Sequence, residues 1–459
     1  MEKYIYLPIE IKVREFYSKL YLCHTLAENG FTCIFGSKKG VHDAMLKMPK
    51  GIYFTKDIAQ SSLKYLLDKK KKSQHIVSLD EEAGIAITKI SSFYKKRISE
   101  DTLTLASKVY CYGNNDFNFL VNEFPEQAQK IVKTGSPRID LWQPSIGDVV
   151  FSDKIKAIKN KYSEFVLINS SIGITSKEKI TFLINQALDY KLIDPKETKK
   201  KRIEYENRYN EFKKFASIIN ELARSCPDKK FVLRPHPAER IEDWKKEFVS
   251  IPDNLYLDRD GDVGPFIFAC EALIHEGCTT AMQALIAKKP TLSINPMMKI
   301  GQDPGLNDFP NQISLEVHSL EDLVSYINNL QNLNQIDSHE KIAERVFMSS
   351  TRSAAQNIAE DLCSLKLEKS SGSLMELKID RLMKRTSSRF KKLLNRIKNN
   401  LFKSGNKTKN EIPIDKKIPG GITLSEITQF YDKIQSSLSG NNSDVKVKKI
   451  LKNTFMIYK

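Results

Sequence analysis

The sequence offers almost nothing that could cross-link it or hold a structural metal. Its seven cysteines (Cys23, Cys33, Cys111, Cys226, Cys270, Cys278 and Cys363) are scattered, odd in number and free of any C-x-x-C pair. That excludes a disulfide framework and gives no zinc pattern, so they read as buried thiols. No apolar run reaches the ~18–20 residues that a bilayer-spanning helix needs. The opening stretch MEKYIYLPIEIKVREF carries acids and bases where a signal peptide would have an apolar core. The expectation is a cytoplasmic protein.

Negative charge is also in short supply, with 56 Asp and Glu against 73 Lys and Arg for a net +17. The excess is not spread evenly. Residues 366–459 hold 22 Lys and Arg against 8 Asp and Glu, a net +14, which leaves +3 for residues 1–365. Within that tail, SLMELKIDRLMKRTSSRFKKLLNRIKNNLF repeats Met375, Ile379, Leu382, Phe390, Leu393, Ile397 and Leu401 at helical spacing while lysine and arginine fill the other faces. A basic amphipathic helix suits an anionic membrane surface, here the inner face of the cell membrane. The same helix could instead dock on the protein's own body. No nucleic-acid partner is expected, because no aromatic interleaving or recognition motif accompanies the charge. The last part, from about Gly421 on, reads as one or two further helices behind a linker at roughly Ser404–Gly421, without an assigned role.

What the chain does have is alternation. KYIYLPIE, FTCIFGS, GIYFT, QHIVSLD, KVYCYG and QKIVKTG are short apolar strands, most of them separated by stretches with helical apolar spacing. Near residue 150 the pattern restarts with EFVLINSS, a long charged helix from ETKKK to ELARSC, then KFVLRPHP, NLYLDR, EALIHEG and PTLSINP. Strands alternating with helices imply parallel sheets covered on both faces. The expected fold is α/β, with two Rossmann-like domains at 1–150 and 151–365 facing across a cleft, and a basic helical tail at 366–459.

In such domains ligands sit beyond the carboxyl ends of the strands. Arg234 and His236 end one strand, and Cys278, Thr279 and Thr280 follow another where the next helix must begin. Helix-start amides and hydroxyls beside Arg and His make an anion site, and a phosphate is the expected ligand. The plainer alternatives are an ordinary threonine N-cap and a histidine held at a Pro-flanked turn. In the first half, VSLDEEAGI puts Asp80, Glu81 and Glu82 at a strand end. Crowded carboxylates repel one another, which raises the pKa of at least one and suits it to acid–base chemistry. A solvated acidic turn is the alternative. Asp258, Asp260 and Asp262 in LDRDGDVG read as an Asp-Gly turn rather than a metal site, with Asp260 a candidate contact to a nucleotide base.

PIEIKVREF, LDEEAG, KTGSPRIDLW, VLINSS, VLRPHPAE and HEGCTTAMQALIAKKP occur in the order, and at roughly the spacing, of a family of bacterial surface carbohydrate biosynthesis proteins. The chain resembles GT-B glycosyltransferases over about residues 1–365. Its acidic motif followed by a His-Pro motif is similar to bacterial sialyltransferases, polysialyltransferases and capsule Kdo transferases. The resemblance implies a metal- and cofactor-independent glycosyltransferase of capsule or lipopolysaccharide biosynthesis. It would move a sugar from a nucleotide-activated, preferentially CMP-linked, donor to a lipid-linked or oligosaccharide acceptor.

By the same resemblance Glu81 or Glu82 is the catalytic acid/base, His236 binds the nucleotide phosphate, and Thr279 and Thr280 hold it from the helix end. Glu10, Lys12, Arg14 and Arg138 line the cleft. Asn169, Ser170 and Ser171 stand where some Kdo transferases carry an aspartate nucleophile; the asparagine leaves Asp140, or an inverting mechanism, as the alternative. Gln283 replaces a ribose-binding glutamate of related enzymes. Alternative functions are a CDP-glycerol-type glycerophosphotransferase, a non-hydrolysing sugar-nucleotide epimerase, and a non-catalytic assembly scaffold.

Overall fold

The short apolar runs become strands because their β-branched and aromatic residues pack on both faces of a sheet. A computed structural model describes residues 2–83, 90–95, 97–190, 192–248, 250–298, 308–333, 338–380, 382–383, 417–437 and 444–459. The chain divides into two compact units, each a parallel α/β sheet with covering helices, as the alternation implies. The first gathers the described residues of Met1–Gly84, Ile90–Leu141 and Arg345–Lys459, and the second those of Trp142–Glu344.

The first unit carries β1 (Lys3–Ile9), β2 (Phe31–Ser37), β3 (Ile52–Thr55), β4 (His75–Leu79), β5 (Lys108–Cys111) and β6 (Ile131–Lys133), plus β13 (Lys446–Leu451) and β14 (Thr454–Tyr458). Their order is β13-β14-β2-β1-β3-β4-β5-β6. The six early strands are parallel, whereas β14 runs antiparallel to β2, and β13 antiparallel to β14. The second unit holds β7 (Val166–Asn169), β8 (Phe231–Arg234), β9 (Leu255–Leu257), β10 (Ala272–His275), β11 (Thr291–Ser293) and β12 (Leu315–Glu316). They lie in the order β12-β11-β10-β7-β8-β9, all parallel. The core behind this sheet is aromatic: Trp244 is fully buried with its ring edge-to-face on Phe212, centroids 4.8 Å apart, and packs on Phe215. Both phenylalanines come from the long helix Thr198–Ser225, whose apolar stripe is the one the sequence shows.

Where the chain returns to the first unit, the expectation of a domain ending at 365 and a separate tail departs from the structure. The described residues of Arg345–Lys459 group with the first unit. Among the described residues past Gly421 there is one helix, Leu424–Ser437, as one of the two alternatives had it, and the β13–β14 hairpin, which was not expected. Buried Phe430 and Tyr431 of that helix explain the docking: Phe430 lies 5.9 Å from Tyr17 between ring centroids, and Tyr431 donates to the Leu20 carbonyl at 3.2 Å. Glycine admits the hairpin. A side chain on Gly36, at φ +148, would meet the Asn453 carbonyl oxygen at 2.1 Å, and one on Gly40 would meet Thr454 Oγ1 at 1.9 Å. Of the basic amphipathic stretch, residue 381 and residues 384–416 lie outside the described residues; in the rest, Met375, Ile379, Leu382 and Met383 are exposed.

Candidate functional site

Three strand ends of the first unit converge on the acidic turn. Helix Lys12–Glu28 begins just beyond β1, and Glu15 in its first turn accepts hydrogen bonds from the Ile11 amide at 2.9 Å and the Glu10 amide at 3.2 Å. One turn on, Lys19 is buried with its Nζ 2.8 Å from Glu15 Oε2, 3.0 Å from the Pro8 carbonyl oxygen and 3.5 Å from Glu81 Oε1. Burial opposes the Lys19 charge, but Glu15 and Glu81 outweigh it and hold its pKa above the ordinary lysine value. Burial pushes Glu81 up, and Lys19 and Arg138 only partly offset it. The result is a carboxyl group biased towards its proton beside a fixed ammonium, which is the condition for general acid or base work.

Its neighbours differ. Asp80 is buried in an ion pair with Arg97, Nε–Oδ2 3.0 Å, and burial still raises its pKa to about 7. Glu82 is half-exposed and paired with Arg97 at 3.2 Å and Arg14 at 3.7 Å. Arg138 donates to the Glu81 carbonyl oxygen at 3.4 Å, as does the Tyr112 hydroxyl at 3.3 Å, so both hold the turn's backbone. Glu10 is bridged by Lys417 and by Lys56 at 2.5 Å; against burial, these two ammonium groups hold it at about 2. Two expectations are corrected. Lys12 does not face an opening: its Nζ lies 2.6 Å from both Glu426 Oε1 and the Gly421 carbonyl oxygen, fastening the C-terminal helix. Asp140 is no nucleophile candidate, because it is buried and its two oxygens accept the Ala354 and Ala355 amides at 2.9 Å each, capping helix Ala354–Cys363.

In the second unit, register sets the site. His275, Asn169 and Arg234 are aligned across β10, β7 and β8, so the residues after them leave the sheet side by side. Glu239 is the hub. It is buried and accepts from Ser170 Oγ (2.8 Å), the Gly173 amide (2.9 Å), the His236 amide (3.2 Å) and Trp244 Nε1 (3.0 Å). Glu276 is buried too; its Oε1 accepts both the amide and the hydroxyl of Ser171 at 2.8 Å, and its Oε2 has no hydrogen-bond partner among the described residues. Burial outweighs the Ser171 donors and raises its pKa to about 7. Asn169 donates to Thr280 Oγ1 at 2.9 Å while its own Oδ1 has no partner among the described residues.

His236 is exposed at this edge, its Nδ1 accepting the Ala238 amide at 3.1 Å. Thr279 and Thr280 start helix Thr280–Ile286, and neither caps it with a side-chain hydrogen bond. Cys278 and Gln283 are buried, and burial pushes the Cys278 thiol up to about 11. Arg234 departs from its expected role of binding phosphate. Its guanidinium donates to the carbonyl oxygens of Asp260 at 3.0 Å and Gly261 at 2.8 Å and lies over the Phe266 ring at 4.0 Å, so it shapes the loop. Of the aspartates in that loop, Asp258 binds the Tyr162 hydroxyl at 2.5 Å and Asp262 caps the next helix by accepting from the Gly264 amide at 3.1 Å. Among the described residues no group of three or more His, Cys, Asp or Glu is placed to hold a metal ion.

Sequence reasoning named Glu81, Glu82 and His236 but missed Glu15, Lys19, Glu239 and Glu276. Glu15 and Lys19 had a visible signal, an i,i+4 acid–base pair in the first helix after β1. Glu239 and Glu276 lay inside quoted motifs, yet only the fold shows that they are buried.

No family model matches the chain, and no curated protein matches it. Among solved structures it is similar to the UDP-GlcNAc 2-epimerase of Neisseria meningitidis bound to UDP-GlcNAc, at 13% identity and TM-score 0.46, covering 80% of this chain and 100% of that one. It is similar to S. aureus MnaA with UDP, at 12% identity and TM-score 0.46, covering 81% and 100%. A third is the wall teichoic acid polymerase TagF, H548A, at 12% identity and TM-score 0.43, covering 68% of this chain and 72% of that one. Identities of this size speak to the fold alone, and the functional reading stands on the chain's own residues.

Proposed function

We propose that this chain is an enzyme acting on a nucleotide-activated sugar in bacterial surface polysaccharide assembly, with Glu81 as the proton-transferring group. The observation that carries the reading is the partly buried Glu81 carboxyl held against the buried Lys19 at a strand end, its pKa raised. In the second unit, exposed His236 with Thr279 and Thr280 is the proposed phosphate-binding edge. A departing nucleotide gains negative charge as the sugar leaves, and an imidazole with helix-start amides stabilises that charge most in the transition state.

Two reactions use these parts. In transfer to a glycan acceptor, Glu81 takes the proton of the attacking hydroxyl. In epimerisation it exchanges a proton with the sugar itself, and the solved structures described as 2-epimerases lie nearer to this alternative than to transfer from a CMP-linked donor. The nucleotide is therefore left as the readout of the test.

The test is turnover of the full chain with CMP-, CDP-, UDP- and GDP-sugars, with and without oligosaccharide acceptors, followed by nucleotide release and by the configuration of the recovered sugar. Glu81→Gln should lower the rate about a hundredfold or more. Unchanged turnover in that variant ends the acid–base reading. Epimer without acceptor selects the second reaction, and acceptor-dependent nucleotide release the first.

The basic stretch around residues 374–401 is proposed to hold the enzyme at an anionic inner-membrane surface. Full-length protein should float with vesicles containing about a third anionic lipid, and deletion of 384–416 should abolish flotation. Equal flotation of the two proteins would remove the membrane partner.

A further inference from the structure

Beyond the Glu81 turn, the strand-end face of the first unit continues into a cationic cavity that the proposed chemistry does not use. Three hollows share walls. The smallest, about 30 Å³, is lined by Glu81, Arg138 and Arg14, and it shares Glu15, Lys56 and Asp57 with a neighbour of about 330 Å³. That neighbour in turn shares Glu10, Lys38 and Tyr65 with a third hollow of about 850 Å³.

The lining of the largest is unbalanced in charge. Lys38, Lys39, Lys69 and Lys417 face only Glu10 and Asp68. Both carboxylates are already neutralised, Glu10 by Lys56 and Lys417, and Asp68 by Lys69 at 3.0 Å and Lys72 at 2.5 Å. Lys38 and Lys39 make no ion pair among the described residues. Two of the ammonium groups bracket one ring: Lys38 Nζ is 4.5 Å and Lys69 Nζ 4.6 Å from the Tyr65 centroid. The local potential registers on His42 in the same wall, where burial and then the charges of Lys69 and Lys72 hold the imidazole pKa below its ordinary value. An aromatic platform with Lys38 over its ring and Lys39 in the same wall, neither of them ion-paired among the described residues, suits a sugar ring that carries an anionic substituent.

We propose that this cavity, walled on one side by Lys417 and Ile418 of the C-terminal segment, binds the phosphate or carboxylate of an anionic saccharide. Its role as the acceptor subsite rests on the transfer branch of the proposed function; the binding itself does not. The cavity's size admits a sugar residue with its charged group, and the shared walls lead from that group back to Glu81.

The experiment is calorimetric titration of the full chain in phosphate-free buffer with inorganic phosphate and, separately, glucuronate, with glucose as the neutral control. Lys38→Gln/Lys39→Gln, two exposed positions without ion pairs, should weaken the anion at least tenfold and leave the melting temperature in place. Binding of phosphate alone identifies a phosphorylated saccharide, and binding of glucuronate alone an acidic sugar. No binding beyond that of glucose, or binding unchanged in the double variant, overturns the proposal. If phosphate is lost in His236→Ala instead, the signal belongs to the second unit: this inference fails and the phosphate edge stands. If the double variant loses the anion while Glu81→Gln keeps full turnover, the cavity stands and the proposed acid–base chemistry fails.

Discussion

Glu81 and Glu82 are adjacent in sequence and opposite in environment. The first is shielded beside Lys19, and the second is half-exposed between Arg97 and Arg14. The sequence showed that a carboxylate pair ends β4, but not which member is the more shielded, because the partners arrive from the helix after β1 and from Arg97. The same holds for Glu276, whose burial follows from the alignment of β10 with β7. Its folded pKa of about 7 lies above the ordinary glutamate value of 4.5. The stability contributed by its protonated form is full below about pH 4 and is lost as pH rises to about 7. Glu276→Gln should therefore match the parent near pH 4 and exceed it at pH 8 by a margin on the order of 3 kcal/mol, read by urea denaturation at the two pH values. A parent that is the more stable at pH 8 would show that the fold favours the Glu276 carboxylate over its protonated form, so that its pKa is not raised.

At the scale of elements, the eleven strands quoted from the sequence all formed, and the residues after them are where the acidic turn, His236 and the threonines lie. Their legibility is physical: a strand covered on both faces is a continuous apolar run whatever surrounds it. The hairpin was hidden for the converse reason. DVKVKKILKNTFMIYK alternates lysine with apolar residues and is basic, so charge dominated the reading, whereas Ile450, Phe455 and Ile457 are buried against the first unit. Lys12 was misplaced because its partner, Glu426, lies 414 positions away. The fit of the hairpin is tight at Gly40, on helix Lys38–Met45. Gly40→Val should cost about 1–3 kcal/mol through overpacking and raise hydrogen exchange at β14 before the central strands. Unaltered exchange at β14 would mean that helix and hairpin do not press on one another.

For the molecule as a whole, the hairpin covers the edge of β2 and puts the lysine-rich β13 at the margin in its place. β2 would otherwise offer its unpaired amides and carbonyls to another chain, a recognised route to association. A protein ending at Ser437 keeps the docked helix and loses only the cover on β2. It should melt lower than the full chain and scatter light increasingly with concentration; an unchanged, monomeric product would show that the strand pair is dispensable. The cationic cavity depends on the same return of the chain, since Lys417 and Ile418 form one wall.

That return also orders the protein's assembly in time. The described residues of the second unit all come from Trp142–Glu344, and its strands β7 to β12 are all present once that stretch has been synthesised. The first unit begins with β1 yet cannot finish its sheet until Thr454–Tyr458 has left the ribosome. The half of the molecule translated first is thus completed last, and through most of translation its open margin must be kept from neighbouring nascent chains.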